Sequence, residues 1–157
     1  MSGKIAVYGL LLLAFILGSI YHLKIRKECI YTVRLTRPRI IISTIAPLIF
    51  GFIAYIGGNL WYYYILALIA TIFVISGVVG EGIHEKGIYY RGTRGLIILA
   101  KWEDIEDIKI DTNNSKLQSF RHTSTRIYPD QYYSQEDITE IKEYVEEWML
   151  VKTNLLI

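Results

Sequence analysis

The stretch Lys101–Ile110, KWEDIEDIKI, sets four carboxylates, Glu103, Asp104, Glu106 and Asp107, within five positions. Acids this close could share a proton for acid/base work or hold a hard cation through oxygen. Their layout favours neither. A calcium loop alternates its oxygen ligands around a Gly and closes on a distal Glu, and this stretch lacks that plan. No paired His or Cys completes a transition-metal site. Trp102, Ile105 and Ile108 recur three apart, which suits one helical or bulged turn, and Ile108 and Ile110 then alternate as in a strand. These apolar residues pin the segment inward while Glu103, Glu106 and Asp107 face water. Asp104 is placed to cap the local turn. Trp102, Asp104, Ile105 and Ile108 therefore read as a fold-anchoring motif.

Other chemistry-bearing residues are scattered. His84 and His122 fall on different expected strands, and a two-His metal site would need those strands to adjoin; satisfied or surface histidines are the better reading. Arg121-His122-Thr123-Ser124-Thr125 has hydroxyls but no Gly-framed nucleophile turn. Gly92-Thr93-Arg94-Gly95 joins strands and does not open a helix as a phosphate-cradling loop would. Cys29 is the one cysteine, which excludes an internal disulfide and a multi-Cys zinc site and leaves an incidental thiol in a connecting loop. The expectation is a protein without catalysis, cofactor, metal or an identifiable small-molecule substrate.

Bases form the more suggestive group. Lys24, Arg26, Lys27, Arg34, Arg37 and Arg39 crowd one short segment, and Arg91, Arg94 and Lys101 follow at expected strand ends. At a membrane surface each base would attract anionic headgroups by about 1 kcal/mol. The plainer reading, that these bases only set membrane topology, outweighs specific lipid recognition.

The elements behind these residues divide the chain. Residues 1–80 carry seven Lys/Arg against one acid, Glu28, a net of +6; residues 81–157 carry ten bases against fourteen acids, a net of −4. With that acidic half, a nucleic-acid partner is not expected. Residues 5–23, 40–58 and 60–80 are long runs free of Asp, Glu, Lys and Arg. At about 1.5 Å per residue each can cross a hydrocarbon core of about 30 Å. The first resembles a signal peptide, but no convincing cleavage site precedes residue 24 and a strongly basic loop follows, so an uncleaved anchor is expected.

The basic loop 24–39 belongs in the cytoplasm by the positive-inside bias. The N-terminus then lies outside, as does the turn Gly57-Gly58-Asn59. Trp61, Tyr62, Tyr63 and Tyr64 fall at the outer boundary, where amphipathic rings prefer the headgroup region. Pro47 could kink the second span. Ala14/Gly18, Ala54/Gly58 and Ala67/Thr71 are small residues four apart that could let helices approach closely. Tyr31, Val33 and Leu35 alternate with polar residues, a pattern that would allow the loop to add a strand to a neighbouring sheet.

Residues 81–157 read as a cytoplasmic domain of short strands and one helix. Lys86-Gly87 marks a hairpin between 82–85 and 88–91, and 96–100 is a further strand. A polar turn at 111–115 precedes strands at 116–122 and 125–128, ended by Pro129. Ser134 then caps a helix with Ile138, Ile141, Val145 and Trp148 along one stripe and Glu136, Glu140, Glu143 and Glu147 opposite. Strands followed by one helix make a small α+β module, so the fold class is three transmembrane helices, residues 1–80, plus an α+β domain, 81–157.

The pattern GIHEKGIYYRG…ILAKWEDIEDIKI…RIYP…ITEIKEYVEEW resembles a family of uncharacterised bacterial integral membrane proteins with a C-terminal domain like the bacterial pleckstrin-homology-like (PH-like) domains. Lys86-Gly87-Ile88, Trp102-Glu103-Asp104-Ile105 and Ile127-Tyr128-Pro129 carry it, over about residues 80–150. The resemblance implies a curved, partly closed antiparallel sheet capped by the C-terminal helix, and an inner-membrane location. It supplies no catalytic residues. The expected role is to present the module for protein or lipid-surface interaction, with the bilayer, another membrane protein or further copies of the chain as partners. The rivals are an oligomeric transport or pore component and, by analogy with small PH-like membrane proteins, immunity against membrane-active peptides.

Overall fold

The computed structural model describes residues 2–92 and 96–155; the expected turn residues Thr93, Arg94 and Gly95 lie outside them. The chain divides into two compact units, Met1–Lys27 with Leu35–Gly80 and Glu28–Arg34 with Glu81–Ile157.

The first unit is helical: α1 (Ser2–Glu28), α2 (Arg37–Ile56) and α3 (Trp61–Val79). All three are long and apolar enough to cross a membrane. The helix ends depart from the apolar runs for local reasons. α1 continues through the charged turn to Glu28, since Arg26 and Lys27 suit a helix C-terminus. α2 begins at Arg37, where Pro38 is preset for a first turn. It runs unbroken through Pro47 and ends at the turn Gly57-Gly58-Asn59.

Apart from Ile25 and Val78, the buried positions of this unit are small or polar, among them Ser19, His22, Ala46, Ala54, Ala70, Thr71 and Ser76, whereas Leu10 (70% exposed), Leu48 (67%) and Phe52 (64%) face outward. Apolar solvent gives no drive to bury leucine, so close backbone approach and hydrogen bonds hold such helices together. Of the small pairs, Gly18 meets α3, because a Cβ there would clash with the Phe73 ring. Ala54 and Thr71 are also buried, but Gly58 lies in the turn with φ +128°.

The second unit begins inside the basic loop. β1 (Tyr31–Thr32) pairs antiparallel with β2 (Gly82–His84), which is followed by β3 (Gly87–Arg91) and β4 (Ile97–Lys101) in the sheet order β1-β2-β3-β4. The β2–β3 hairpin forms where expected. Gly87, at φ +149°, is required because the Ala100 carbonyl occupies the place of a Cβ. A second sheet holds β5 (Ile105–Asp111), β6 (Lys116–His122) and β7 (Thr125–Ile127), with β8 (Gln131–Tyr132) pairing β6 beside β7. β7 is shorter than expected and leaves Tyr128 73% exposed.

α4 (Asp137–Leu155) follows, and the Asp137 amide donates to Ser134 Oγ at 3.0 Å, the cap expected of that serine. One core joins both sheets and α4: Val33, Ile83, Ile88, Ala100, Trp102, Ile105, Leu117, Phe120, Tyr133, Ile138, Ile141 and Val145 are all buried there. Buried Gln131 binds across the sheets, donating from Nε2 to the Tyr89 carbonyl at 2.7 Å and accepting from Tyr133 OH at 2.8 Å.

The contribution of the loop between α1 and α2 is larger than its two-residue strand suggests. The Ile30 amide donates to the Ile83 carbonyl at 2.8 Å, the Val33 amide to Glu81 at 3.4 Å and the Arg34 amide to Tyr132 at 2.7 Å. Val33 is 3% exposed, whereas Leu35, expected on the same strand face, is 48% exposed and belongs to the helical unit. Tyr31 OH reaches Glu140 of α4 at 3.4 Å, and burial together with that carboxylate raises its pKa.

Candidate functional site

The acidic stretch is built around its apolar residues. Trp102–Asp104 is a single 3-10 turn. The Trp102 ring is buried, stacks on Trp148 at 6.0 Å and meets Tyr144 edge-on at 6.1 Å, while its Nε1–H donates to the Glu85 carbonyl at 2.9 Å. Ile105 is fully buried and Ile108 packs against the core from a half-buried position. β5 starts at Ile105, earlier than the expected strand at Ile108, with a register shift between Ile105 and Asp107.

Asp104 does not cap the turn. It is the last residue of the turn, whose N-cap position is Lys101 and carries no side-chain cap bond. Its carbonyl instead accepts the Thr123 amide at 2.9 Å, and its carboxylate lies 3.8 Å from His122 Nε2. Glu106 pairs with Arg121 at 3.7 Å and Asp107 with Arg126 at 2.5 Å. The acids thus face bases of the adjoining strands instead of converging on one another. His84 lies in the other sheet from His122, and its Nδ1 accepts the Lys86 amide at 3.0 Å.

The basic residues divide between the two units. Arg26 donates from Nη1 to the Val79 carbonyl at 2.9 Å and Arg39 to Val78 at 2.6 Å, so both cap the end of α3. A helix C-terminus offers unsatisfied carbonyls and partial negative charge, which guanidinium groups satisfy. Because the caps come from other helices, no local sequence signal announces them. Arg91 pairs at 3.4 Å with Glu81, whose side chain is 3% exposed. Lys24, Lys27, Arg34 and Arg37 are exposed. Arg34 and Arg91 belong to the second unit, the others to the first, and Arg94 lies outside the described residues.

Within the helical unit, His22 is the unforeseen element. The sequence places it at the edge of a span, yet it is 4% exposed, with Nδ1 3.2 Å from Ser76 Oγ and its ring stacked on Phe73 at 5.2 Å. Ser76 Oγ donates to the Phe73 carbonyl at 2.8 Å, and its contact with His22 ties α1 to α3.

A further group escaped the sequence entirely: Lys109, Lys116 and Arg126, on β5, β6 and β7, line one concavity on the second sheet. Only strand register brings them together. Comparison of the chain with protein-family models, curated proteins and solved structures returned no match.

Proposed function

We propose that this chain is a non-catalytic membrane scaffold whose three spans hold a PH-like α+β module at the cytoplasmic face of a bacterial inner membrane for protein or lipid-surface interaction. The observation that carries this reading is the construction of the module from two stretches, Glu28–Arg34 and the chain beyond Glu81, with α2 and α3 between them in sequence. The module joins the spans through three successive chain crossings, after Lys27, after Arg34 and after Gly80.

Support for the PH-like assignment comes from consecutive antiparallel strands in two sheets and a C-terminal helix on a shared core. The cytoplasmic placement rests on the basic loop and the positive-inside bias. Exposed Leu150 (66%) and Val151 (46%) on α4 offer an apolar strip for a protein partner. Two measurements test the reading in a Cys29→Ser background. An Asn59→Cys variant should react with an impermeant maleimide in intact cells, and Asn113→Cys only after permeabilisation; the reverse pattern overturns the orientation. Photocrosslinking from position 150 in the host should capture a protein partner. If it captures none, and binding of the full chain to vesicles does not depend on anionic lipid, the scaffold reading falls.

A further inference from the structure

The outer face of the second sheet holds a concavity of about 540 Å³, within the range of small-ligand sites. Its shape follows from a defect in strand pairing. Lys109 pairs with Ser119 and Ile110 with Leu117, so Gln118 is the extra residue of a bulge on β6. Leu117 and Phe120 both enter the core across that bulge, an odd spacing that a regular strand could not provide. The bulge therefore turns Lys116, Gln118 and Ser119 toward one face, opposite the core. Lys109 joins them from β5 and Arg126 from β7, with Tyr128 and Asp130 completing the lining.

Two of the three cations are held in place. Arg126 donates to Asp107 at 2.5 Å and, through Nη1, to Ser119 Oγ at 3.1 Å, and Ser119 is 1% exposed. Lys116 is paired with Asp130 and lies 5.1 Å from the centre of the Tyr132 ring. Lys109 forms no ion pair among the described residues, and its charge acts on Asp111, two positions along β5. The lining carries Lys109, Lys116 and Arg126 against Asp130, with Asp107 behind Arg126 and Asp111 behind Gln118, which donates to it at 3.3 Å. Around it lies a half-chain of net −4, residues 81–157. Three cations gathered in one hollow offer donors to a small anion, while the acidic surface around them repels extended polyanions. The exposed Tyr128 ring at its edge can cover an organic portion of such a ligand.

We infer that this concavity binds the phosphoryl group of a phosphate monoester, with Lys109 and Arg126 as its principal contacts. The monoester is a soluble metabolite or the exposed headgroup of a lipid, and the chemistry of the contact is the same for both. The site does not depend on the scaffold reading, since it uses one sheet face.

The test uses the full chain in nanodiscs of zwitterionic lipid, titrated calorimetrically with inorganic phosphate and with glycerol 3-phosphate, and in matched discs containing phosphatidic acid. Binding in the zwitterionic discs identifies a soluble ligand; a thermal shift seen only with phosphatidic acid identifies a headgroup. In either arm Lys109→Ala should weaken binding about tenfold and Arg126→Gln at least as much, as loss of a charge-assisted hydrogen bond does. Lys142→Ala, which removes an exposed charge on α4, should leave affinity unchanged. The inference is overturned by absence of binding in both discs, by wild-type affinity in Lys109→Ala and Lys109→Glu, or by an equal loss in Lys142→Ala.

Discussion

In the helical unit the buried positions include Ser19, His22, Ala46, Ala70, Thr71 and Ser76, while Leu10, Leu48 and Phe52 stand outward. In the α+β unit Ile83, Ile88, Ile105, Leu117 and Phe120 are buried, and Glu103, Glu106, Glu143 and Glu147 are exposed. The same physical chemistry gives opposite arrangements because the surroundings differ. Water drives large apolar side chains inward at about 25 cal/mol per Å². Lipid supplies no such drive, so small residues and interhelical hydrogen bonds decide the packing. Charge follows the same division: arginines of the helical unit cap the carbonyls of α3, whereas those of the α+β unit meet carboxylates across strands.

Substitutions can break this comparison on either side. The largest expected effect is in the aqueous core. Trp102→Ala removes a buried indole that touches Trp148 and Tyr144. It should destabilise the α+β unit by about 3–5 kcal/mol, read from urea unfolding of the full chain in micelles, while resistance of the helical unit to SDS is unchanged. Equal loss in both units would show that they do not answer to different solvents. A middle-sized effect is expected in the membrane. Gly18→Leu forces a side chain into the Phe73 ring and should cost about 1–3 kcal/mol by overpacking. SDS titration of helicity should report it, with the urea transition of the α+β unit unmoved.

The smallest effect concerns a surface ion pair. The hydrogen bond from Lys116 to Asp130 raises the lysine pKa above its ordinary 10.5. A raised lysine pKa means a stabilising contribution that is complete below pH 10.5 and lost as pH rises through the folded value. Asp130→Asn should therefore lower stability by no more than about 1 kcal/mol at neutral pH. The difference from wild type should vanish in alkaline solution, as followed by thermal unfolding across that range.

Much of this architecture was legible from local pattern. Continuous apolar runs gave the spans, Lys86-Gly87 the first hairpin, and Ser134 with the Ile138, Ile141, Val145 stripe the last helix. Trp102 and Ile105 were correctly read as inward because their spacing matches a single turn. What stayed hidden depends on distant partners. β8 is two residues long, follows Pro129, and exists only because β6 has a free edge beside β7. Asp104 looked like a cap because acids often are, but it is the last residue of the turn, and the N-cap position falls to Lys101. The arginine caps, the His22–Ser76 tie and the Lys109, Lys116, Arg126 cluster each join residues from separate elements. The depth of Val33 belongs to the same class: alternation allowed a strand, but only the pairing with β2 shows that the loop completes the module's core.

That last feature is central, because it builds the module's core from chain on both sides of α2 and α3 in sequence. Hydrogen exchange on the full chain in nanodiscs tests it most directly. The amides of Ile30, Val33 and Arg34, bonded to Ile83, Glu81 and Tyr132, should exchange as slowly as the amides of β2, and Val33→Asp should release both segments together. Rapid exchange at residues 30–34 while β2 stays protected would contradict the account.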